Sequence, residues 1–241
     1  MSKKRQQQKA ATNANNTIQF DRVQKNSLNI VPRNTVQEEY LDLLMDPTKY
    51  IVFAVGPAGT GKTLLAMMAG IQALRDGTVK RLILTRPAVG VEGESHGYLP
   101  GDLNSKMAPW TQPLFDIIRE CYDMNQIEQM IQNQTIELAP LAYMRGRTFK
   151  NAWVIADEMQ NATPAQMKML LTRIGEGSKI ILTGDLAQTD RKASQNGLLD
   201  FKTLVSQIGK CRFVSGIEFN YNHIERHPAV AEILKIYGET V

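Results

Sequence analysis

Apolar and polar residues follow two periodicities along this chain. Six short apolar runs have the length of buried strands: Ile51–Val55, Leu82–Thr85, Ile136–Leu138, Trp153–Ala156, Lys179–Thr183 and Phe213–Phe219. Longer stretches with helical character alternate with them: Thr63–Arg75, Leu114–Asp123, Ile127–Gln132, Pro164–Ile174, Gly197–Gln207 and Ala229–Tyr237. Apolar strands that alternate with helices are typical of a parallel sheet covered on both faces. We therefore predict an α/β fold with a mainly parallel sheet flanked by helices.

Composition separates the first 27 residues from the rest. The chain has 241 residues, with 28 basic and 24 acidic side chains. Residues 1–27 contain six of the basic residues, one acidic residue and many Gln and Asn, so the remainder is close to neutral. A segment with few apolar residues cannot bury a core. We predict a disordered basic tail over residues 1–27 and one domain over residues 28–241. The tail suits either nonspecific contact with phosphates or solubility alone.

Several classes of protein are disfavoured by the composition. With 43% hydrophobic and 22% charged residues, the chain has an ordinary globular mixture. It has no run of about 18 apolar residues, and the basic residues at its start are not followed by the apolar stretch of a secretory signal. Two cysteines are too few for a disulfide framework. We expect a cytoplasmic protein without a membrane partner.

A phosphate-binding loop follows the first predicted strand. Gly56, Pro57, Ala58, Gly59, Thr60, Gly61, Lys62 and Thr63 fit the pattern G-x-x-x-x-G-K-[ST] between a strand and a helix. Glycines let backbone N–H groups approach phosphate oxygens, and the helix adds the positive end of its dipole. Lys62 is predicted to contact the β- and γ-phosphates, and Thr63 to bind Mg²⁺.

Two carboxylates follow the strand Trp153–Ala156. In a parallel sheet this position lies at the same edge as the phosphate-binding loop. We predict that Asp157 binds Mg²⁺ and that Glu158 activates the attacking water. Because transfer to a bound hydroxyl does not need such a glutamate, the pair favours hydrolysis over a small-molecule kinase.

A third polar segment follows the strand Lys179–Thr183. Gln188 is predicted to contact the γ-phosphate or the attacking water, while Asp185 holds the loop. An ordinary turn built from Gly184 and Asp185 is the alternative.

The segments between these motifs carry a resemblance to a known family. The matching segments are Gly56–Thr63, Leu84–Ala88, Gly97–Leu103, Ala139–Thr148 and Gln166–Gly175. Over about residues 28–241 the sequence resembles the PhoH family and, more distantly, the nucleotide-binding half of superfamily 1 helicases. The resemblance implies a single RecA-like P-loop domain, ATP and Mg²⁺ as ligands, and ATPase activity with a proposed RNA helicase function.

Further residues receive a role from this resemblance. Gln37 resembles the glutamine that reads adenine in helicases, with an exposed helix glutamine as the alternative. Arg86 resembles a residue that grips the nucleic-acid backbone. Tyr143, Arg145 and Arg147 suit base stacking and phosphate contact, unless the two arginines brace their loop through salt bridges.

The length of the chain allows one lobe, whereas superfamily 1 helicases have two. An arginine that stabilises charge on the γ-phosphate would then come from a neighbouring subunit. We expect a homo-oligomer, in the form of a hexameric ring, with Arg226 in this role and Arg173 as the competitor. The expected function is ATP hydrolysis coupled to single-stranded RNA or DNA. An ATP-dependent binding module or switch with little hydrolysis is the alternative.

Overall fold

A computed structural model describes residues 28–87, 113–189 and 195–225, together with Ala229, Ile233 and Ile236. The predicted tail over residues 1–27, the segment Gly97–Leu103 and Arg226 lie outside these described residues.

Six parallel strands form one sheet. They are β1 (Ile51–Val55), β2 (Arg81–Arg86), β3 (Ile136–Pro140), β4 (Ala152–Ala156), β5 (Lys179–Gly184) and β6 (Val214–Glu218). Their order across the sheet is β3-β2-β4-β5-β1-β6, and each neighbouring pair is parallel. All six predicted strands are present. The α/β, RecA-like class is therefore confirmed. Strand β5 lies between β1, which precedes the phosphate-binding loop, and β4, which precedes Asp157 and Glu158.

The helices differ from prediction mainly at their ends. They are α1 (Thr35–Met45), α2 (Lys62–Arg75), α3 (described over residues 113–119), α4 (Met124–Gln132), α5 (Pro164–Leu171) and α6 (Gly197–Ile208). Helix α1 was not predicted. Asp123 does not end a helix as predicted, because its side chain accepts a hydrogen bond from the backbone N–H of Gln126 and begins α4. At the predicted carboxyl-terminal helix, Ala229, Ile233 and Ile236 are helical.

Two apolar layers cover the faces of the sheet. Helices α1, α2, α3 and α4 pack on one face, where Tyr40, Leu44 and Trp153 are buried. Helices α5 and α6 pack on the other face with a single-turn 3-10 helix at Leu141–Met144. Adjacent residues of β1 and β4 point into opposite layers, which is why both strands are apolar throughout. Among the described residues, no helix is long and apolar enough to span a bilayer.

A buried lysine joins the central strand β5 to α1. Lys179 is 8% exposed, and its Nζ donates to the carbonyl oxygens of Leu43 (3.3 Å) and Asp46 (2.8 Å) and to that of Leu44. These carbonyls lie at the end of α1, where no helical partner is available for them. Burial lowers the pKa of Lys179 to about 8, although the nearby Asp46 carboxylate opposes the shift.

Candidate functional site

The phosphate-binding loop connects β1 to α2 with two glycines that no other residue replaces easily. Gly61 has a φ of +86° at the start of α2, in the left-handed region. A Cβ on Gly56 would lie 2.4 Å from the carbonyl oxygen of Phe219. The Nζ of Lys62 donates to the carbonyl oxygens of Gly56 and Pro57, at 2.7 Å each. The loop thus wraps around the ammonium group of its own lysine.

The carboxylate of Asp157 accepts hydrogen bonds from two hydroxyl groups. Its Oδ1 accepts from Thr63 Oγ1 at 2.9 Å and from Thr183 Oγ1 at 2.6 Å. The structure thus brings together the two predicted metal residues. Carboxylate and hydroxyl oxygens are ligands of the type that Mg²⁺ prefers, so Thr63 and Asp157 fit this ion. Thr183 was not predicted, although a polar residue near the end of an apolar strand was the available signal.

Glu158 has a strained backbone and a charged partner. Its φ of +54° and ψ of +38° lie in the left-handed region, which is uncommon for a residue other than glycine and is often found at functional sites. Its Oε1 lies 2.9 Å from Nη2 of Arg86, which ends β2 on the neighbouring strand. About a third of each side chain is exposed. The predicted general base and a predicted nucleic-acid contact are therefore paired with each other.

A buried glutamine connects Glu158 to the loop after β5. Gln160 is 1% exposed, and its Nε2 donates to Oε2 of Glu158 and to the carbonyl oxygen of Gln188. Its Oε1 accepts from the backbone N–H of Asp185 at 3.1 Å. The carboxylate of Asp185 in turn accepts from the backbone N–H of Ala187. Gln160 was not predicted, and its place two residues after the carboxylate pair was the only signal in the sequence.

These groups surround one cleft at the carboxyl ends of β1, β4 and β5. Its volume is about 460 Å³. It is lined by α1 and the segment before it, the P-loop and the start of α2, the pair Asp157 and Glu158, the β5 loop, and one residue after β6. These residues are Val31, Arg33, Gln37, Ala58, Gly59, Gly61, Lys62, Thr63, Leu64, Leu65, Asp157, Glu158, Gly184, Asp185, Gln188 and Glu225. The predicted nucleotide, metal and water-activating residues therefore meet in one place.

Gln37 reaches the P-loop from α1. It is 3% exposed, so the alternative of an exposed helix glutamine is wrong. Its Oε1 accepts from the backbone N–H of Arg33 at 2.8 Å, and its Nε2 donates to the carbonyl oxygen of Thr60 at 3.0 Å. Because an amide has two lone pairs and two N–H donors, both ends can form a second hydrogen bond.

A tyrosine of α1 lies buried close to the same charges. Tyr40 is fully buried and contacts the ring of Phe219 edge-on at 5.8 Å. Burial raises the pKa of its phenol, and the negative charge of Asp157 adds to the effect. The Oη atom has no hydrogen-bond partner among the residues that the structure describes.

The predicted nucleic-acid residues lie outside the cleft and differ from one another. Arg147 forms a bidentate ion pair with the carboxylate of Glu137. This agrees with the alternative prediction that the arginine stabilises its loop through a salt bridge. Hydrogen bonding to Glu137 raises the pKa of Arg147 further. Arg145 is exposed, and Tyr143 is 58% exposed. Arg173, the competing trans arginine, lies away from the cleft after α5.

Comparison with known proteins gives close relatives. A family model described as PhoH-like protein matches residues 29–238. The chain is 49% identical over 190 residues to a PhoH-like protein of Bacillus subtilis (strain 168), covering 78% of this chain and 58% of the relative. It is 41% identical over 222 residues to a PhoH-like protein of Mycobacterium tuberculosis (strain ATCC 25618 / H37Rv), covering 92% and 61%. The chain thus spans less than two thirds of these relatives.

Solved structures share less with this chain. The Pif1 helicase from Candida albicans is 16% identical with a TM-score of 0.43, covering 87% of this chain and 44% of that one. The SWI2/SNF2 ATPase core of Sulfolobus solfataricus, solved in complex with dsDNA, is 12% identical with a TM-score of 0.45, covering 87% and 52%. The family match and the sequence identities make this chain a P-loop nucleotide-binding protein that belongs to the PhoH family.

Proposed function

We propose that this chain hydrolyses ATP to ADP and phosphate, and that single-stranded RNA or DNA controls the reaction. The observation that carries the proposal is the meeting of Lys62, Thr63, Asp157 and Glu158 at one cleft. A loop that binds phosphate accounts for nucleotide binding alone, whereas a carboxylate beside it supplies the base that hydrolysis needs.

Each residue of the cleft has a distinct task in the proposed reaction. Lys62 holds the β- and γ-phosphates, and Thr63 and Asp157 hold Mg²⁺, which offsets phosphate charge when bound. Glu158 accepts a proton from a water molecule while the oxygen of that water attacks the γ-phosphorus. The bond from that phosphorus to the bridging oxygen breaks, and its electron pair leaves with ADP. Gln188 orients the water, and Gln37 contacts the edge of adenine.

The Arg86–Glu158 ion pair supports the proposed link to nucleic acid. A carboxylate that faces a guanidinium 2.9 Å away is poorly placed to take a proton from water in the cleft. A phosphodiester is a strong alternative partner for an arginine. When nucleic acid engages Arg86, Glu158 is released toward the water. A partly exposed ion pair is worth about 0–1 kcal/mol, so a phosphate contact is sufficient to replace it.

The same ion pair favours a second candidate function. If Arg86 keeps Glu158 occupied in all states, the chain binds ATP and acts as a switch with little hydrolysis. The two candidates differ in whether phosphate release rises when single-stranded RNA is added.

A third element of the proposal is assembly into a hexameric ring. Arg226, or Arg173 as the competitor, would then reach the γ-phosphate of a neighbouring subunit. Sedimentation of the chain with ATP tests this element, and a strict monomer at micromolar concentration contradicts it.

The central experiment measures phosphate release with and without a 20-nucleotide oligouridylate. Glu158→Gln is expected to lower the rate about 100-fold or more while ATP still binds, because the general base is lost and the P-loop is intact. Glu128→Gln is the matched control, since Glu128 is exposed on α4 away from the cleft. Full turnover by Glu158→Gln overturns the assignment of the base. Absence of stimulation by any single strand overturns the coupling.

A further inference from the structure

A second cavity lies between α5 and the loop after the 3-10 helix at Leu141–Met144. Its volume is about 460 Å³, and it shares no lining residue with the nucleotide cleft. One wall is Arg145 and Gly146, and Gly146 has the left-handed φ of +77° that turns the loop. The other wall is formed by Ala165, Lys168, Met169 and Thr172, with Arg173 at its end. We call this cavity the α5 groove.

The helical wall has a regular spacing. The pairs 165/168, 165/169, 168/172 and 169/172 are three or four residues apart, so these residues form one face of α5 and its C-cap. Met167 and Leu170, from the opposite face, are buried in the core. The groove is therefore the outward side of a helix that is anchored by its apolar side.

The charge of the groove is of one sign. Arg145, Lys168 and Arg173 line it, and no carboxylate is among its described lining residues. No ion pair joins these three side chains to another residue in the described parts of the chain. The Nε of Arg173 is buried and lacks a hydrogen-bond partner within the same residues. Three cations side by side repel one another, so the groove favours a polyanion.

We propose that the α5 groove binds the phosphodiester backbone of a single-stranded nucleic acid, with Arg145, Lys168 and Arg173 as phosphate contacts. The inference rests on the proposed function and gives its nucleic acid a location. Arg147 is excluded from the contact set because Glu137 already neutralises it. Tyr143 is 58% exposed two residues before Arg145, which suits stacking of a base at the mouth of the groove.

A single strand fits this site better than a compact anion. The cations come from two separate elements and line a groove, whereas a nucleotide phosphate is usually held by convergent backbone N–H groups. Stacking on an aromatic ring with phosphates along a basic groove is the usual mode for single strands. Such binding is strongly dependent on salt.

The test measures fluorescence anisotropy of a labelled 20-nucleotide oligouridylate with the full chain at several salt concentrations. The double variant Arg145→Glu/Lys168→Glu is expected to weaken binding roughly tenfold or more, and to lower the slope of log Kd against log salt by about 1 to 2. Lys168→Gln, which removes one charge without reversing it, should have a smaller effect in the same direction. Lys210→Glu is the control for charge, because Lys210 is exposed after α6 and outside the groove.

Three readouts make the outcomes distinct. Unstimulated ATP hydrolysis and the thermal midpoint are expected to stay within experimental error in the groove variants, because the groove and the cleft share no residue. If the wild type binds RNA and the groove variants bind it equally well, the groove assignment is overturned while the proposed function stands. If the wild type binds neither RNA nor DNA, the groove assignment and the proposed coupling of hydrolysis to nucleic acid are both overturned. A change in oligomeric state with unchanged RNA affinity assigns the groove to a second copy of the chain and also overturns the proposal.

Discussion

The guanidinium of Arg86 contacts the carboxylate of Glu158 at 2.9 Å, although Arg86 ends β2 and Glu158 follows a different strand, β4. Strands β2 and β4 are neighbours, with Thr85 opposite Ala156, so the residues that follow this pair meet at the edge of the sheet. Glu158 lines the nucleotide cleft and Arg86 does not. The contact thus connects the cleft to a residue outside it.

Replacing Arg86 tests whether this contact restrains hydrolysis. Arg86→Ala is expected to raise the unstimulated rate of phosphate release about twofold to fivefold, the range that an ion pair of up to about 1 kcal/mol allows. It should also remove stimulation by single-stranded RNA. Lys80→Ala is a control, because Lys80 is exposed just before the opposite end of β2. A variant that is slower than the wild type yet still stimulated contradicts the restraint.

Gln160 is expected to matter for turnover rather than for nucleotide binding. Gln160→Met keeps the size of the side chain but leaves the backbone N–H of Asp185 without its acceptor. We expect a loss of about 1–3 kcal/mol in the free energy of unfolding, because the site is buried. Turnover should fall while the affinity for ATP stays near that of the wild type. Gln129→Met, at an exposed position of α4, serves as the comparison, and equal effects of both variants speak against a specific role.

Gln37 is expected to discriminate between bases. Removing its amide by Gln37→Ala should lower the affinity for ATP more than that for GTP, by about 1 kcal/mol, because a hydrogen bond to adenine is lost. Competition between labelled ATP and unlabelled GTP measures this preference. An equal loss for both nucleotides instead limits Gln37 to supporting the P-loop through Thr60.

The lowered pKa of Lys179 leads us to expect that the stability of the fold depends on pH. Its pKa is lowered to about 8, below the usual value for lysine, so between about pH 8 and 10.5 the unfolded chain binds more protons than the folded one. The contribution of this group to stability therefore rises with pH across that window. Urea unfolding at pH 8 and 10 should show the stability of the wild type rising relative to that of Lys179→Met. Lys210→Met should show no such pH-dependent difference, and a constant difference for Lys179→Met refutes the shift.

Replacing Tyr40 is expected to preserve or increase the stability of the fold. Its buried hydroxyl has no partner in the described parts of the chain, so Tyr40→Phe removes a polar group that gains nothing. The free energy of unfolding is expected to stay equal or to increase by about 1 kcal/mol. Tyr50→Phe is the control, since Tyr50 is 43% exposed. Destabilisation by Tyr40→Phe reveals a hydrogen bond of the hydroxyl.

The inner strands β1, β2, β4 and β5 were predictable from sequence because they are largely buried on both faces, which makes them mostly apolar. The edge strands β3 and β6 are less buried, but they also follow apolar runs that were predicted. The P-loop and the pair Asp157 and Glu158 were equally visible, since their spacing follows from the chemistry of phosphate binding. Helix α1 was not predicted, because it buries three residues on one face and one of these, Gln37, is polar. The other two are Tyr40 and Leu44.

The contacts between motifs were not predictable. Thr183 and Gln160 each have only a weak positional signal in the sequence, and their partners are fixed by the order of strands across the sheet. The partner of Arg147 was not predictable either, since Glu137 lies in β3, on the other side of the 3-10 helix at Leu141–Met144. A linear pattern identifies residue types but not which strands become neighbours.

The P-loop also binds segments from both ends of the described domain. The backbone N–H of Glu225 donates to the carbonyl oxygen of Gly59 at 2.9 Å, and the side chain of Asn34, which begins α1, donates to the carboxylate of Glu225 at 3.2 Å. Any ligand that pulls Glu225 from the loop therefore changes the affinity for nucleotide. By thermodynamic reciprocity, bound nucleotide resists that pull by the same free energy. Tags or fused domains placed near residues 34 or 225 are thus mechanically connected to the nucleotide site, even though they are remote from it in sequence.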